Sequence, residues 1–185
     1  NIDTIAAIAR DECPKILTPE HPKTSKFFIE VFGGTGNLAE AVRNCGIPSQ
    51  VWDILDGREA DLLNRGVRIR LKKLIKDRSV AAISFDFPCN TFSRARKNDG
   101  IGPGPLRSDD RPMGLPKAKL SARDHQKVIE ANLLLKHTIV LIELCIKADI
   151  PILLENPKSS RLWLVPEIKR IVQYPNCRLV NVDYC

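Results

Sequence analysis

Short apolar runs of strand length alternate with helix-like spacing along this chain, and that alternation limits the fold more than any other feature. Phe27-Phe28-Ile29-Glu30-Val31-Phe32 reads as a strand that stops at Gly33-Gly34-Thr35-Gly36. A helix follows from near Asn37, with Leu38, Ala41 and Val42 inward and Gly46 in the C-cap position. Ser49-Gln50-Val51-Trp52 makes a second strand with Asp53 at its carboxyl end. After Asp61-Leu62-Leu63, Val67, Leu71, Leu74 and Ile75 keep the i, i+4, i+7, i+8 spacing of a helix. Val80 to Phe85 is a third strand. A long helix from Arg123 to Lys147 is expected to bury Val128, Ile129, Leu133, Leu134, Ile139, Val140, Leu141 and Leu144. Ile150 to Leu154, a short helix near Pro166 to Val172, and a last strand from Cys177 to Val182 complete the series. This order predicts an α/β fold, a parallel sheet with helices on both faces.

The 185 residues suffice for one well-filled domain, here 27–185, preceded by an arm. Within 1–26, a short amphipathic helix is expected over 1–12, followed by a proline-containing linker. The chain opens at Asn1 rather than Met, which is expected of a fragment, of a processed product or of a chain with further residues upstream. No apolar run approaches the roughly 20 residues that span a bilayer, so no membrane partner is expected. A net charge of +7 favours a polyanionic partner, and an aromatic content of only 5% argues against a base-stacking platform as its main mode of binding. Cys13, Cys45, Cys89, Cys145, Cys177 and Cys185 form no C-x-x-C pair. They suit a reducing, intracellular compartment and no metal site. His21, His125 and His137 lack metal-like spacing and read as surface residues, and Trp52 and Trp163 as packing residues.

The glycine turn is a weak signal alone. Gly34-x-Gly36-x-x-Ala39, with Asp53 17 residues after Gly36, fits a loose dinucleotide pattern, and an acid there suits ribose hydroxyls in nicotinamide and S-adenosylmethionine enzymes alike. Two other strand ends narrow the choice. The third apolar run halts at Pro88-Cys89 and the fourth at Glu155-Asn156-Pro157, so both should lie over the same sheet edge as the glycine turn. Hydride transfer needs neither a thiol nor an acid there. Methyl transfer to carbon 5 of a pyrimidine needs both, a thiolate to add to carbon 6 and an acid to hydrogen-bond N3. Between them, Arg94 to Lys119 is a long basic segment rich in Gly and Pro, expected to act as a lid or to be disordered. Arg68, Arg70, Lys72, Lys73 and Lys76 read as a solvated helix face before a binding surface.

These residues carry a resemblance. Glu30-Val31-Phe32-Gly33-Gly34-Thr35-Gly36 resembles the first motif of the DNA cytosine-5 methyltransferase family, an acid followed by Phe-x-Gly-x-Gly. Phe87-Pro88-Cys89-Asn90-Thr91-Phe92-Ser93 is similar to its Pro-Cys-Gln-x-Phe-Ser motif, and Glu155-Asn156-Pro157 to its Glu-Asn-Val motif. The resemblance runs from about Phe27 onward and implies a Rossmann-like, S-adenosylmethionine-dependent domain that makes 5-methylcytosine in DNA. It implies Cys89 as nucleophile, Glu155 at N3 and Asn156 orienting the loop. Phe32, Gly33, Gly34, Thr35, Gly36 and Pro88 would line the cofactor site. There Asp53 would hold the ribose, and Ile54, Asp61 and Leu62 would lie at the adenine. Ser93, Arg94, Arg96 and Lys97 would grip nucleic-acid phosphates around a flipped base. Proline stands where valine is usual after Glu155-Asn156, and Asn90 where glutamine is. Pro157-Lys158-Ser159-Ser160-Arg161-Leu162-Trp163 resembles a divergent branch. The family's Gln-x-Arg-x-Arg motif and target-recognition region do not occur in the sequence, so RNA as substrate and an inactive binding module are the alternatives.

Overall fold

The computed structural model describes residues 26–97 and 102–182. The helix and arm expected before Lys26 lie outside the described residues. Four strands, β1 (Phe27–Val31), β2 (Ser49–Trp52), β3 (Val80–Asp86) and β4 (Ile152–Glu155), form one sheet in the order β2-β1-β3-β4, every pair parallel. Helix α1 (Asn37–Asn44) connects β1 to β2, α2 (Arg65–Lys76) connects β2 to β3, and α3 (Ala122–Lys147) connects β3 to β4. Helix α4 (Pro166–Val172) follows β4. Right-handed crossovers carry the chain from β1 to one edge and back across to the other, so α1 falls on one face and α2 and α3 on the opposite one. Consistent with this, α2 packs on α3, whereas α1 touches β1 and β2. The chain is therefore an α/β protein with a parallel sheet flanked by helices, as in Rossmann-like folds.

Strand alternation divides the sheet chemically. Ile29 and Val31, Ile83 and Phe85, and Ile152 and Leu154 are register partners across β1, β3 and β4. They meet Val67, Leu71 and Ile75 of α2, Leu135 and Ile142 of α3, and Ile168 and Ile171 of α4 in one core. Each fully buried side chain of this size contributes roughly 1.5–3 kcal/mol. Glu30, Ser84, Asp86 and Glu155 occupy the other face, towards the carboxyl ends of their strands.

Three expectations are corrected. Helix α3 buries Val128, Ala131, Leu135, Thr138, Leu141, Ile142 and Cys145, whereas Ile129 and Leu133 are exposed. The helix is apolar nearly all round between Ile139 and Ile146, so size alone misplaces its stripe. In α1 it is Ala39 that is fully buried, with Leu38, Ala41 and Val42 only partly so, since the Ala39 N–H is tied to Glu30 Oε2 on β1 and turns this residue towards the sheet. Residues 177–182 form no strand: Leu179, Val180 and Val182 face no core and stay exposed. Among the described residues no helix is long and apolar enough to cross a membrane.

Candidate active site

The strand order reverses direction between β1 and β3, and in open parallel sheets ligands bind outside the carboxyl ends of the strands at that point. The glycine turn leaves β1 there. Phe32 adopts φ 64, a left-handed conformation that costs a bulky residue about 1–3 kcal/mol. Its ring meets Phe87, beyond β3, edge-on with centroids 5.6 Å apart. Helix α1 has no side-chain cap of its own. Glu30 reaches across from β1, and its Oε2 accepts the Ala39 N–H at 2.7 Å, satisfying a helix N-terminal donor. This explains two glycines without any ligand: a Cβ on Gly33 would lie 2.7 Å from Glu30 Cδ, and one on Gly36 (φ 75) 2.6 Å from Val51 Cγ2. Gly34 faces open space, and its N–H donates to Asp53 Oδ2 at 3.0 Å.

Asp53, at the end of β2, also accepts the Leu55 N–H through Oδ1 at 2.9 Å. Both oxygens are thus oriented by backbone, and each keeps a second lone pair. Ile54 and Leu55 beside it are 63% and 75% exposed, two apolar side chains on the rim of the glycine turn. Asp61 is used locally, accepting the Leu63 N–H at 2.8 Å, while Leu62 is buried in the core and Thr35 is exposed.

The Pro-Cys loop and the Glu-Asn-Pro loop are bound to each other. The Cys89 carbonyl accepts the N–H groups of Phe92 (2.9 Å) and Ser93 (2.8 Å), closing one tight turn under a half-buried thiol. Asn156, itself buried, donates through Nδ2 to the Phe87 carbonyl at 2.6 Å. The Arg161 N–H donates to the Phe92 carbonyl at 3.0 Å, and its side chain to the Ser93 carbonyl at 3.2 Å. Arg94 returns the contact, donating to the Ser159 carbonyl at 2.8 Å. Trp163 steadies the second loop through the Pro157 carbonyl at 2.9 Å. Beneath the loops, Asp86 and Glu155 are register partners at the ends of β3 and β4. Cys89, Glu155, Asn156 and the glycine turn therefore lie along one sheet edge.

No family model, curated protein or solved structure matches the chain. What the site can do rests on its own residues.

Arg107 is a residue that sequence reasoning misses. It is fully buried, and it donates to Thr91 Oγ1 (3.0 Å), the Pro112 carbonyl (2.9 Å) and Asn132 Oδ1 on α3 (2.8 Å). Its guanidinium stacks 3.6 Å above the centre of Phe92, whose ring meets Phe87 edge-on at 5.8 Å. A continuous contact chain thus runs from Phe32 through Phe87 and Phe92 to Arg107 and α3. Among the described residues it pairs with no carboxylate, and burial pulls its pKa down to about 10. In a loop already rich in Arg and Lys, nothing in its sequence neighbours distinguishes it.

Within the described part of the basic segment, Leu106 and Arg107 join the interior instead of standing out as a free lid. Of the expected phosphate-gripping residues, Lys97 is exposed. Arg96 is drawn inward to the Gly104 carbonyl (2.9 Å) and Asp124 (3.7 Å). Ser93 Oγ accepts the Ala95 N–H. Arg68 and Arg70 are likewise occupied, by carbonyls of the 59–63 loop and by the Trp52 ring. His125 and His137 are half-buried rather than plain surface residues. Cys145, buried in α3, has its thiol pushed up to about 12 by burial and is inert beside the accessible Cys89.

Three carboxyl groups share the polar face at the switch point. Burial pushes Glu30 up to about 7 against an ordinary 4.5; the Ala39 N–H opposes this and Asp86 adds to it. Glu155 is raised by burial and then by Asp86. A folded carboxyl with a raised pKa holds a proton that the unfolded chain has lost, so its stabilisation is complete below 4.5 and fades as pH rises through 7. The Glu30 shift corresponds to roughly 3 kcal/mol at most. Glu155 acts in the same sense. His137, depressed by burial and by Arg68, Lys72 and Lys136, acts oppositely below 6.5. The lowered Asp109, Asp110 and Asp124 matter only as pH falls below 3.8. Glu30→Gln keeps an acceptor for Ala39 and cannot ionise. Relative to wild type, the variant's unfolding free energy should rise steadily between pH 5 and 8 in urea titrations. Parallel curves would refute the assignment.

Proposed function

We propose that this chain carries the catalytic machinery of an S-adenosylmethionine-dependent enzyme that methylates carbon 5 of cytosine in DNA through a covalent bond between Cys89 and carbon 6. The observation that carries the reading is the mutual stitching of the Cys89 loop and the Glu155-Asn156 loop at the sheet's switch point, through Asn156–Phe87, Arg161–Ser93 and Arg94–Ser159. The residues along β1 and β2 fit the cofactor. The open space at Gly34, the oriented Asp53 carboxylate and the exposed Ile54 and Leu55 offer a polar hold for a ribose and an apolar rim for a base. S-adenosylmethionine supplies an electrophilic methyl group when bound.

The remaining steps belong to the chain's own residues. Cys89, having given up its proton, forms the sulfur–carbon bond at carbon 6, and the displaced ring electrons make carbon 5 nucleophilic. Glu155 is held in its neutral form to higher pH than an ordinary glutamate by burial and by Asp86. It donates to N3 where negative charge develops. After carbon 5 takes the methyl group, a base removes the carbon 5 proton, and the electron pair expels the Cys89 thiolate. Fluorine at carbon 5 blocks that last step. A 5-fluorocytosine duplex with S-adenosylmethionine should therefore give a denaturation-resistant complex mapping to the Cys89 peptide. Parallel duplex DNA and RNA arms identify the substrate, and no complex with either would refute the reading.

A further inference from the structure

Arg94 and Arg161, one from each of the two stitched loops, converge on a single carboxylate. Arg94 Nη2 lies 2.7 Å from Asp109 Oδ2, and Arg161 Nε lies 3.1 Å from Asp109 Oδ1. The arginines do not depend on Asp109 for their positions. Arg94 Nε donates to the Ser159 carbonyl at 2.8 Å, and Arg161 Nη1 to the Ser93 carbonyl at 3.2 Å. The Arg161 side chain is only 13% exposed. Asp109 is the opposite case. It sits on a surface turn closed by Ser108 and Arg111, its side chain is 56% exposed, and the two guanidiniums hold its carboxyl below the usual carboxylate range. The fork is fixed and the carboxylate is its replaceable occupant.

An anion with two oxygens bridging two guanidiniums has the charge and spacing of a phosphodiester. We propose that Arg94 and Arg161 form a binding fork for one backbone phosphate of the nucleic-acid substrate, and that Asp109 occupies this fork in the free protein until a phosphate displaces it. The proposal rests on the nucleic-acid reading above and adds its first fixed phosphate contact together with an internal competitor. An exposed ion pair contributes little to folding, so displacing Asp109 costs the fold little. The carboxylate lowers affinity for any nucleic acid that cannot fill the fork, while keeping the two arginines aligned at the rim of the Cys89 loop.

Two probes on full-length wild type and Asp109→Asn test this. The first is inorganic phosphate, followed through the Nε–H NMR signals of Arg94 and Arg161. The second is a fluorescently labelled DNA duplex, with RNA in parallel, followed by anisotropy. In Asp109→Asn, phosphate should shift both signals at about tenfold lower concentration, and the duplex should bind about tenfold more tightly. Adding Arg94→Gln to Asp109→Asn should cancel both gains. If phosphate leaves the two signals unmoved in Asp109→Asn, or if that variant binds phosphate no better than wild type, the fork is refuted whatever DNA does. If phosphate fills the fork and neither DNA nor RNA binds, the anion site stands and the nucleic-acid reading fails.

Discussion

On the proposed reaction, Cys89→Ala should eliminate methyl transfer to below about one part in a thousand of wild-type turnover while leaving the fold intact. Carbon 5 of cytosine is a poor nucleophile until sulfur adds at carbon 6, and no other described thiol lies at the switch point. Cys145 is sealed in α3, and Cys45 and Cys177 lie after α1 and after α4. The structural part of Cys89 is its carbonyl, which accepts from Phe92 and Ser93, and alanine keeps it. Stability should therefore change by less than about 1 kcal/mol. Glu155→Gln gives the complementary result. The amide preserves shape beside Asp86 and can still hydrogen-bond N3, but it cannot transfer a proton there as negative charge develops, and turnover should fall about 100-fold or more. Both effects are read from transfer of a labelled methyl group, with thermal unfolding as the control. Activity of Cys89→Ala within tenfold of wild type would place the nucleophile elsewhere.

The contrast between these residues and their surroundings shows what a sequence can display. Cys89 and Glu155 were legible because each ends an apolar run, and parallel strands bring their carboxyl ends to one edge. The stripe Val67, Leu71, Ile75 was legible because Arg and Lys dominate the rest of α2, where Ile69 is the exposed apolar exception. The phase of α3 was not, since its buried face relies on the small Ala131, Thr138 and Cys145 among larger apolar neighbours. The glycine turn was legible as a turn, yet the reasons for Gly33 and Gly36 lie in Glu30 and Val51, which approach only after β1, β2 and α1 have assembled. Arg96 shows how much of a charged residue's setting stays hidden. The resemblance implies a phosphate ligand there, and the sequence does not show that the Gly104 carbonyl and Asp124 engage its side chain in the fold. Long-range partners decide the role of a charged side chain, and periodicity carries no information about them.

Arg107 is the extreme instance, and its replacement should have the largest effect on stability. Arg107→Ala leaves Thr91 Oγ1, the Pro112 carbonyl and Asn132 Oδ1 without their donor and opens a void beside Phe92. A buried polar group left unpaired costs about 1–3 kcal/mol, and a void adds to that. Relief of a desolvated guanidinium, visible in its pKa of about 10, offsets part of the sum. A net loss of about 3 kcal/mol follows, or roughly 10 °C in Tm for a chain of this size. Arg107→Met separates positioning from stability. It fills most of the volume without the charge, so it should fold at a cost of about 1–2 kcal/mol, but it cannot hold Thr91 and α3 together. The turn that carries Cys89 would then be fixed from the Asn156 and Arg161 side alone. In Arg107→Met, kcat should fall about tenfold with KM nearly unchanged, and Cys89 should react faster with a soluble thiol reagent in the native state. Lysine should not rescue the loss, because its ammonium has neither the planar face that stacks on Phe92 nor the fork that reaches three acceptors. Wild-type kcat and wild-type Cys89 reactivity in Arg107→Met would show that the contact chain from Phe92 to α3 supports the fold without aligning the nucleophile.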